Sequence, residues 1–375
     1  MHSPWESLHF HRDADLVVVG GGIVGLFTAL FHKRAFPHHH VLVLERGPFP
    51  SGASVRNAGF ACFGSPGELL ADVAAEGTDA VLARVEERWK GLLELRGELG
   101  DAHLGFEAVG GHEVLRGEDP EHGRIVAGLD ALNEALRPIF GTTAFLWDDA
   151  AIARNGLGDV GHVVRTDLEG TLDSGALMAS LLRKAVAEGV LFRPGAHVTE
   201  LEEGPAGVRL ALRAGGGVGA ARVVVATNGY ARDLLPALDV RPARGQVLLT
   251  GPVPGLKLKG AFHADQGFFY FRDLGGAVLI GGGRNLDISG ETTSEDGVTP
   301  LVQEALERML RDIVLPGVPF TVERRWSGVM GFRAQGKAPL VERIGERTVA
   351  AVGLSGMGLA IGIRVARRAV ALVAE

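Results

Sequence analysis

Apolar and polar positions in the first fifty residues fall into a strand, a helix and a second strand. Leu16 to Val19 is an unbroken apolar run that enters Gly20-Gly21-Gly22, an apolar stretch of helical character follows, and Val41 to Leu44 ends at Glu45. Short unbroken apolar runs bounded by turn residues suit strands covered on both faces. Over 68–98 the spacing is helical, with Leu69, Leu70, Val73, Val81, Leu82, Val85, Trp89, Leu92 and Leu93 recurring every three to four positions. Short strands are expected at 106–116 and 145–148, around a helix at 124–137. A helix is expected from Asp173 to Glu188, with Asp173 or Ser174 as N-cap and Gly189 as its stop.

Strands near 190–192 and 197–201 follow, then a hairpin across 207–214 and 218–222 and a buried strand at 223–226. From Val247 to Gly283 the pattern alternates in antiparallel fashion, and 300–313 reads as an amphipathic helix. The last strand, 348–352, runs into Gly353-Leu354-Ser355-Gly356-Met357-Gly358 and an apolar helix. An α/β layer therefore opens and closes the chain, with mainly antiparallel β structure inserted between.

Composition narrows this picture. At 375 residues two domains are expected, and with no repeat or long polar linker they must interleave. Acidic residues outnumber basic ones, 45 to 38, with no long basic run, so nucleic acid is not expected as a partner. The single cysteine, Cys62, excludes an intramolecular disulfide and fits a reducing compartment. Residues 16–31 are apolar enough to suggest a membrane segment, but they hold four glycines and are too short to span. The flanks lack signal-peptide features, so a cytoplasmic protein without a transmembrane segment is expected. The 55 glycines concentrate at strand ends and turns, which suggests short hairpins rather than disorder.

The first strand-glycine-helix unit carries chemistry. Gly20 allows a tight turn out of the strand, Gly22 lets backbone approach a pyrophosphate, and Gly25 lets the helix lie close to the sheet. The helix start at Ile23 and Val24 then faces phosphate charge. Glu45 stands 20 residues beyond Gly25, where a carboxylate at a strand end accepts from a ribose hydroxyl. Together these predict a dinucleotide site. The glycine junction at 353–358 points further, since a nicotinamide enzyme has no evident need for it. A reduced flavin carries negative charge near N1 and O2 that backbone N–H groups and a helix start stabilise.

Landmarks along nearly the whole chain resemble one family. They are the first glycine loop with Glu45-Arg46, Ser51 to Gly59, Val223 to Tyr230, Arg244-Gly245-Gln246, Arg325-Trp326-Ser327-Gly328 and the terminal glycine junction. In these the chain resembles the FAD-dependent oxidoreductases of the D-amino-acid oxidase, glycine oxidase and sarcosine oxidase type. The resemblance implies an α/β FAD-binding Rossmann-like domain of the glutathione-reductase type and an interleaved, mainly antiparallel β substrate domain. The boundaries expected are 1–80, 150–228 and 325–375 for the first, and 81–149 and 229–324 for the second.

The resemblance also implies roles. Ser54, Arg56, Asn57, Ala58 and Gly59 would line the pyrophosphate, ribityl chain and flavin ring. Val198 would offer its backbone to the adenine, and Thr227, Asn228 and Gly229 would close over the cofactor. Gly328, Gly353, Ser355, Gly356, Met357 and Gly358 would border the ring, with Arg46 beside Glu45. Relatives that attach FAD covalently use a histidine or cysteine that Ser54-Val55-Arg56 lacks, so FAD is expected to be non-covalent. His38-His39-His40 is expected to be a solvated loop rather than a metal site.

Hydride transfer from an amine to flavin needs positioning and an unprotonated amine more than a catalytic triad. Tyr270 sits where relatives place an aromatic residue near the substrate, with Tyr230 the weaker alternative. Glycine-oxidase-like relatives carry a carboxylate-binding arginine about where Met330 stands here, and a methionine supplies no such fork. Either the substrate lacks that carboxylate or another arginine receives it. Arg284 and Arg333 are the candidates, with Arg272 behind them. A lysine that sarcosine-oxidase-like relatives hold over the flavin is absent near Leu279-Ile280, which leans toward an acceptor other than O2. The expected activity is oxidation of the C–N bond of an amine or amino acid, with O2 or another electron acceptor. The alternatives are oxidation of a 2-hydroxy acid and a flavin-binding protein without turnover.

Overall fold

The computed structural model describes residues 3–9, 12–116, 120–334 and 336–375. These fall into two compact units: unit 1 takes Met1–Val55, Gly175–Ala243 and Val329–Glu375, and unit 2 takes Arg56–Ser174 and Arg244–Gly328. The expected boundaries differ from this division at four segments. Residues 56–80, 150–174 and 325–328 lie in unit 2, and 229–243 lie in unit 1. Packing explains the shift. Phe63 and Leu69 share a core with Val81, Ile125 and Leu129, and strand His162–Thr166 pairs with Gly111–Leu115. Ala231 and Val240, in turn, are buried with Leu340, Ala350 and Val352.

Unit 1 is built on an eight-stranded sheet. Its central path runs Leu340–Arg343, Thr348–Val352, Gly217–Val225, Ala14–Val19, Val41–Leu44, Leu191–Arg193. The last five of these are parallel to one another, and the first pairs antiparallel at the edge. Leu16, Val17, Val18, Val223, Val224 and Val225 are all fully buried, as strands covered on both faces must be. Val198–Gly204 and Gly207–Leu212 extend the sheet as a hairpin on the N-terminal half of Gly217–Val225. Helices Ile23–Ala35 and Gly358–Ala374 lie close together at Gly362, where a Cβ would stand 3.0 Å from Ile23.

Unit 2 carries a second eight-stranded sheet, in the order Val322–Phe332, Arg241–Thr250, Ala277–Gly282, Phe269–Leu274, Ala261–Ala264, Gly111–Leu115, His162–Thr166, Leu146–Trp147. Its described pairings are antiparallel except that Ala261–Ala264 runs parallel to Gly111–Leu115. Alternation sorts the side chains of Phe269–Leu274. Phe269 and Phe271 enter the core with Phe262, Ile280 and Leu306 of helix Pro300–Met309, which leaves Tyr270 and Arg272 on the opposite face.

Several elements depart from the sequence expectation. The helical stretch 68–98 is two helices, Pro66–Glu76 and Thr78–Leu99, broken at Gly77 with φ +86°. The strand expected from 106 starts only at Gly111, and Glu107 makes an isolated bridge to Thr171. Helix 300–313 ends at Met309 and continues as a π turn, Leu310–Val314. The histidine run is not simply solvated: His38 is exposed, but His39 lies 3.0 Å from His32 and His40 is buried. Among the described residues, no helix is long and apolar enough to cross a membrane.

Candidate functional site

In unit 1 the first glycine loop has the geometry its spacing requires. Gly20 has φ +107°, and a Cβ there would stand 2.8 Å from the Ala226 carbonyl oxygen. A Cβ on Gly25 would collide with the Gly20 carbonyl oxygen. Gly22 caps helix Ile23–Ala35 with no side-chain hydrogen bond and no acid in the first turn, while the Ile23 N–H donates to Ser54 Oγ at 3.0 Å. The helix start, with Val24 beside Ile23, is thus an anion-binding end without an internal anion. Glu45 is buried; its Oε2 accepts from the Gly21 N–H at 2.9 Å and its Oε1 from the Gly47 N–H at 2.8 Å. Fixed in this way, the carboxylate still has lone pairs for a sugar hydroxyl. Arg46 stacks over Tyr230, 3.7 Å from the ring centroid, which ties that tyrosine to the residue beside Glu45. Val198 is buried at the start of its strand.

The terminal glycine junction and the Thr227-Asn228-Gly229 turn are joined within unit 1. Asn228 Oδ1 accepts from the N–H groups of Gly353 at 3.0 Å and Leu354 at 3.4 Å. Asn228 and Ser355 both adopt left-handed backbone, φ +49° each, and so do Gly353 and Gly356, which bracket Ser355, at +75° and +82°. Non-glycine residues rarely hold that conformation, and such strain gathers at functional sites. The Met330 sulfur stands 3.6 Å from where a Cβ of Gly356 would be, and Met357 caps the final helix, which starts at Gly358. Thr227 Oγ1 and Ser355 Oγ are buried and, among the described residues, have no hydrogen-bond partner. Two buried hydroxyls, a helix start without an anion and a cradle that excludes Cβ atoms fit the many acceptors of a dinucleotide.

Unit 2 orders the segment after Ser54. Arg56 Nη1 donates to the Ser327 carbonyl at 3.0 Å and lies 3.3 Å from Asp296, while Trp326 Nε1 donates to the Arg56 carbonyl at 2.9 Å. Asn57 Oδ1 accepts from the Gly59 N–H at 2.8 Å and the Ser174 hydroxyl at 2.6 Å. Gly59, at φ +73°, has no room for a Cβ against the Leu172 carbonyl oxygen. Arg56 and Asn57 are therefore structured, and Gly328 ends this part of unit 2.

The expected substrate residues fare differently. The Tyr270 ring lies over Gly281, where a Cβ would stand 2.5 Å from it, and meets Phe60 edge-on at 5.7 Å. It packs with Ala58, Val247, Leu279 and Trp326, and burial pushes its phenol up to about 12, so it remains a donor. Leu279, near the missing lysine, lies in this apolar patch. Arg272 Nη1 donates to the carbonyls of Ala58, Gly59 and Leu172 at 3.4, 3.2 and 3.0 Å. It is a backbone clamp. Arg333, in unit 1, lies 3.5 Å from Asp239. Arg284 is half-buried at the head of the 3-10 turn Arg284–Leu286, and burial lowers its pKa.

Sequence reasoning overlooked His263. It is buried, pairs across strands with Tyr270, and meets Phe60 edge-on at 5.1 Å. Burial lowers its pKa to about 4, so it is neutral, and its Nε2 has no partner among the described residues. Its place beside Tyr270 is set by strand register, which leaves no local sequence signal.

Residues 15–372 match the family described as DAO, FAD dependent oxidoreductase. The chain belongs to that family and is an FAD-dependent oxidoreductase. Similar solved structures include L-proline dehydrogenase from P. horikoshii, with TM-score 0.76 and 18% identity over 97% of this chain and 94% of that one. Glycine oxidase from Bacillus cereus gives TM-score 0.75 and 20% identity over 96% and 97%. Iminodiacetate oxidase from Chelativorans sp. BNC1 gives 0.74 and 20% over 96% and 95%. At these identities the likeness establishes the fold. No curated protein sequence matches the chain significantly.

Proposed function

We propose that the protein oxidises the C–N bond of an amine or amino acid. When bound, FAD supplies the two-electron acceptor, taking hydride at its N5. Gly20, Gly22, Gly25, Glu45 and the helix start at Ile23 hold its ADP half, with Val198 at the adenine. Ser54, Arg56, Asn57, Ala58, Gly59, Thr227, Asn228, Gly229, Gly328 and the 353–358 junction serve the rest. Binding is non-covalent: Ser54-Val55-Arg56 offers no attachment residue, and burial pushes the Cys62 thiol well up, away from the reactive thiolate. A cytoplasmic location fits that lone reduced cysteine.

The observation that carries the substrate reading is the Tyr270 hydroxyl, kept protonated by burial beside Phe60, Leu279 and Trp326. We assign a substrate carboxylate to Arg284, half-buried at the head of the 3-10 turn that follows the triple glycine 281–283. Tyr270 donates its hydroxyl hydrogen to the substrate and shields it from water with Phe60. Met330, thioether rather than guanidinium, widens acceptance toward larger or secondary amines. The dehydrogenase and oxidases with similar structures act, by their names, on proline, glycine and iminodiacetate. The electron acceptor is O2 or another oxidant. Anaerobic mixing of the yellow protein with amines, amino acids and 2-hydroxy acids tests the reading. Bleaching by amines and amino acids is expected; bleaching by hydroxy acids alone would overturn it.

A further inference from the structure

Strand Phe60–Ala61 of unit 2 is held by side chains more than by its partner strand. Its ladder with Gly170–Thr171 lasts two residues, with Phe60 opposite Thr171 and Ala61 opposite Gly170. So short a ladder has few hydrogen bonds to fix its register, and a slip of one residue turns each side chain to the other face. Ionisable side chains hold its two ends instead. At the entry, Arg272 Nη1 donates to the carbonyls of Ala58, Gly59 and Leu172. At the exit stands Glu169, the residue before Gly170. Its Oε1 accepts from the N–H groups of Phe63 at 2.8 Å and Gly64 at 3.4 Å. Arg88 Nη1 donates to the Phe63 carbonyl at 2.8 Å, so the Phe63 backbone is gripped at its N–H and at its C=O.

The clamp is buried and closely fitted. Glu169 and Arg88 are 3% and 1% exposed, a Cβ on Gly111 would collide with Glu169 Oε2, and one on Gly64 would stand 3.2 Å from Arg88 Nη1. Burying two ionisable groups is a costly way to stabilise a fold, because desolvation offsets most of what they gain. What such a network does well is fix one arrangement of the backbone attached to it. Three residues before the clamp, the Phe60 ring stands edge-on to Tyr270 at 5.7 Å and to its cross-strand neighbour His263 at 5.1 Å. Phe63 itself is fully buried in another cluster, with Val81, Val85 and Leu129. The gripped backbone thus joins the helical core to the ring that meets Tyr270. Burial lifts the Glu169 carboxyl to about 8, so near pH 7 it is mainly the uncharged acid, whose carbonyl oxygen still accepts.

We propose that Glu169 is a positioning residue: by holding the Phe63 and Gly64 N–H groups it seats the Phe60 ring against Tyr270, and so sets the wall that the substrate meets. This rests on the reading that Tyr270 and Phe60 face the substrate. It goes further in assigning the placement of that wall to a buried carboxyl that acts through the backbone.

The chain has two tyrosines, Tyr230 and Tyr270, so the purified flavoprotein labelled with 3-fluorotyrosine gives two fluorine NMR resonances, assigned with Tyr230→Phe. Phe60→Leu removes the ring that faces Tyr270 and should move the Tyr270 resonance. Glu169→Ala should give most of the same shift, and no further shift in the Phe60→Leu background, while Tyr230 stays in place. Glu169→Asp keeps the acid but shortens its reach; it should move the resonance less, and it carries the test should the alanine variant not fold. Glu169→Gln keeps the acceptor and should match the wild type. With the amine or amino acid that bleaches the wild-type protein fastest, anaerobic flavin reduction should slow about tenfold or more in Glu169→Ala and hold in Glu169→Gln. A Tyr270 resonance that responds to neither shortened variant overturns the proposal. So does a shift that persists undiminished without Phe60, a glutamine variant that behaves as alanine does, or an unchanged rate of reduction. Failure of the C–N reading would look different: the same coupled shifts, with no bleaching of the wild type by any amine or amino acid.

Discussion

Gly25 and Asn228 constrain unit 1 in different ways, and each yields a distinct outcome on substitution. Gly25→Ala drives a methyl into the Gly20 carbonyl, which forces helix and loop apart at the proposed pyrophosphate site. The variant should purify with flavin content reduced about tenfold or more, measured by absorbance after denaturation. Asn228→Ala removes the acceptor for two N–H groups and places alanine at φ +49°, so it should cost about 2–4 kcal/mol in a denaturant titration. Asn228→Gly restores the conformation alone and should recover about 1 kcal/mol of that. In unit 2, Arg272→Met removes the guanidinium from the Ala58 and Leu172 carbonyls, while the Gly59 carbonyl keeps the Leu172 N–H, and should cost about 2–4 kcal/mol. Arg284→Gln should raise KM for carboxylate-bearing substrates about a hundredfold in steady-state assays.

At the scale of elements, what the sequence discloses depends on how local the constraint is. The strand Ala14–Val19 is legible because a strand covered on both faces must be apolar throughout, and Gly20 because a tight exit needs φ +107°. The break at Gly77 was not legible, since Val73 and Val81 keep the same helical stripe on either side of it. The backbone geometry of the first glycine loop was readable because its residues follow one another along the chain. The difference between Arg272 and Arg284 was not, because it depends on whether carbonyls at 58, 59 and 172 converge on one guanidinium. The face shared by His263 and Tyr270 needs strand register, which alternation alone does not give.

For the molecule as a whole, buried titratable groups pull stability in opposite directions with pH. Burial raises Glu113 and Glu169 to about 8 from 4.5, so the folded chain binds more protons than the unfolded one between those values and stability falls as pH rises. Burial lowers His32 and His263 to about 4 from 6.5, so in that window the unfolded chain binds more protons and stability rises with pH. From 4.5 to 6.5 the two pairs oppose each other. Above 6.5 only the carboxyl term remains, and thermal stability should decline toward pH 8. Glu113→Gln should flatten that decline in a pH series of melting curves, whereas His263→Gln should leave it unchanged and alter the acid side.

The order in which strands enter the unit 1 sheet bears on how the protein is made. Thr348–Val352 completes the parallel array beside Gly217–Val225, a partner synthesised more than a hundred residues earlier. On the ribosome, every residue of unit 2 has been translated before that strand exists. Unit 2 therefore has the means to fold while unit 1 still waits with the open edge of Gly217–Val225 exposed, a ready template for wrong pairing. A released chain truncated at 345 should show protease resistance in unit 2 and sensitivity around 14–44 and 217–225, and the full chain should reverse the second. Chaperone dependence of this protein would then be a matter of that interval alone.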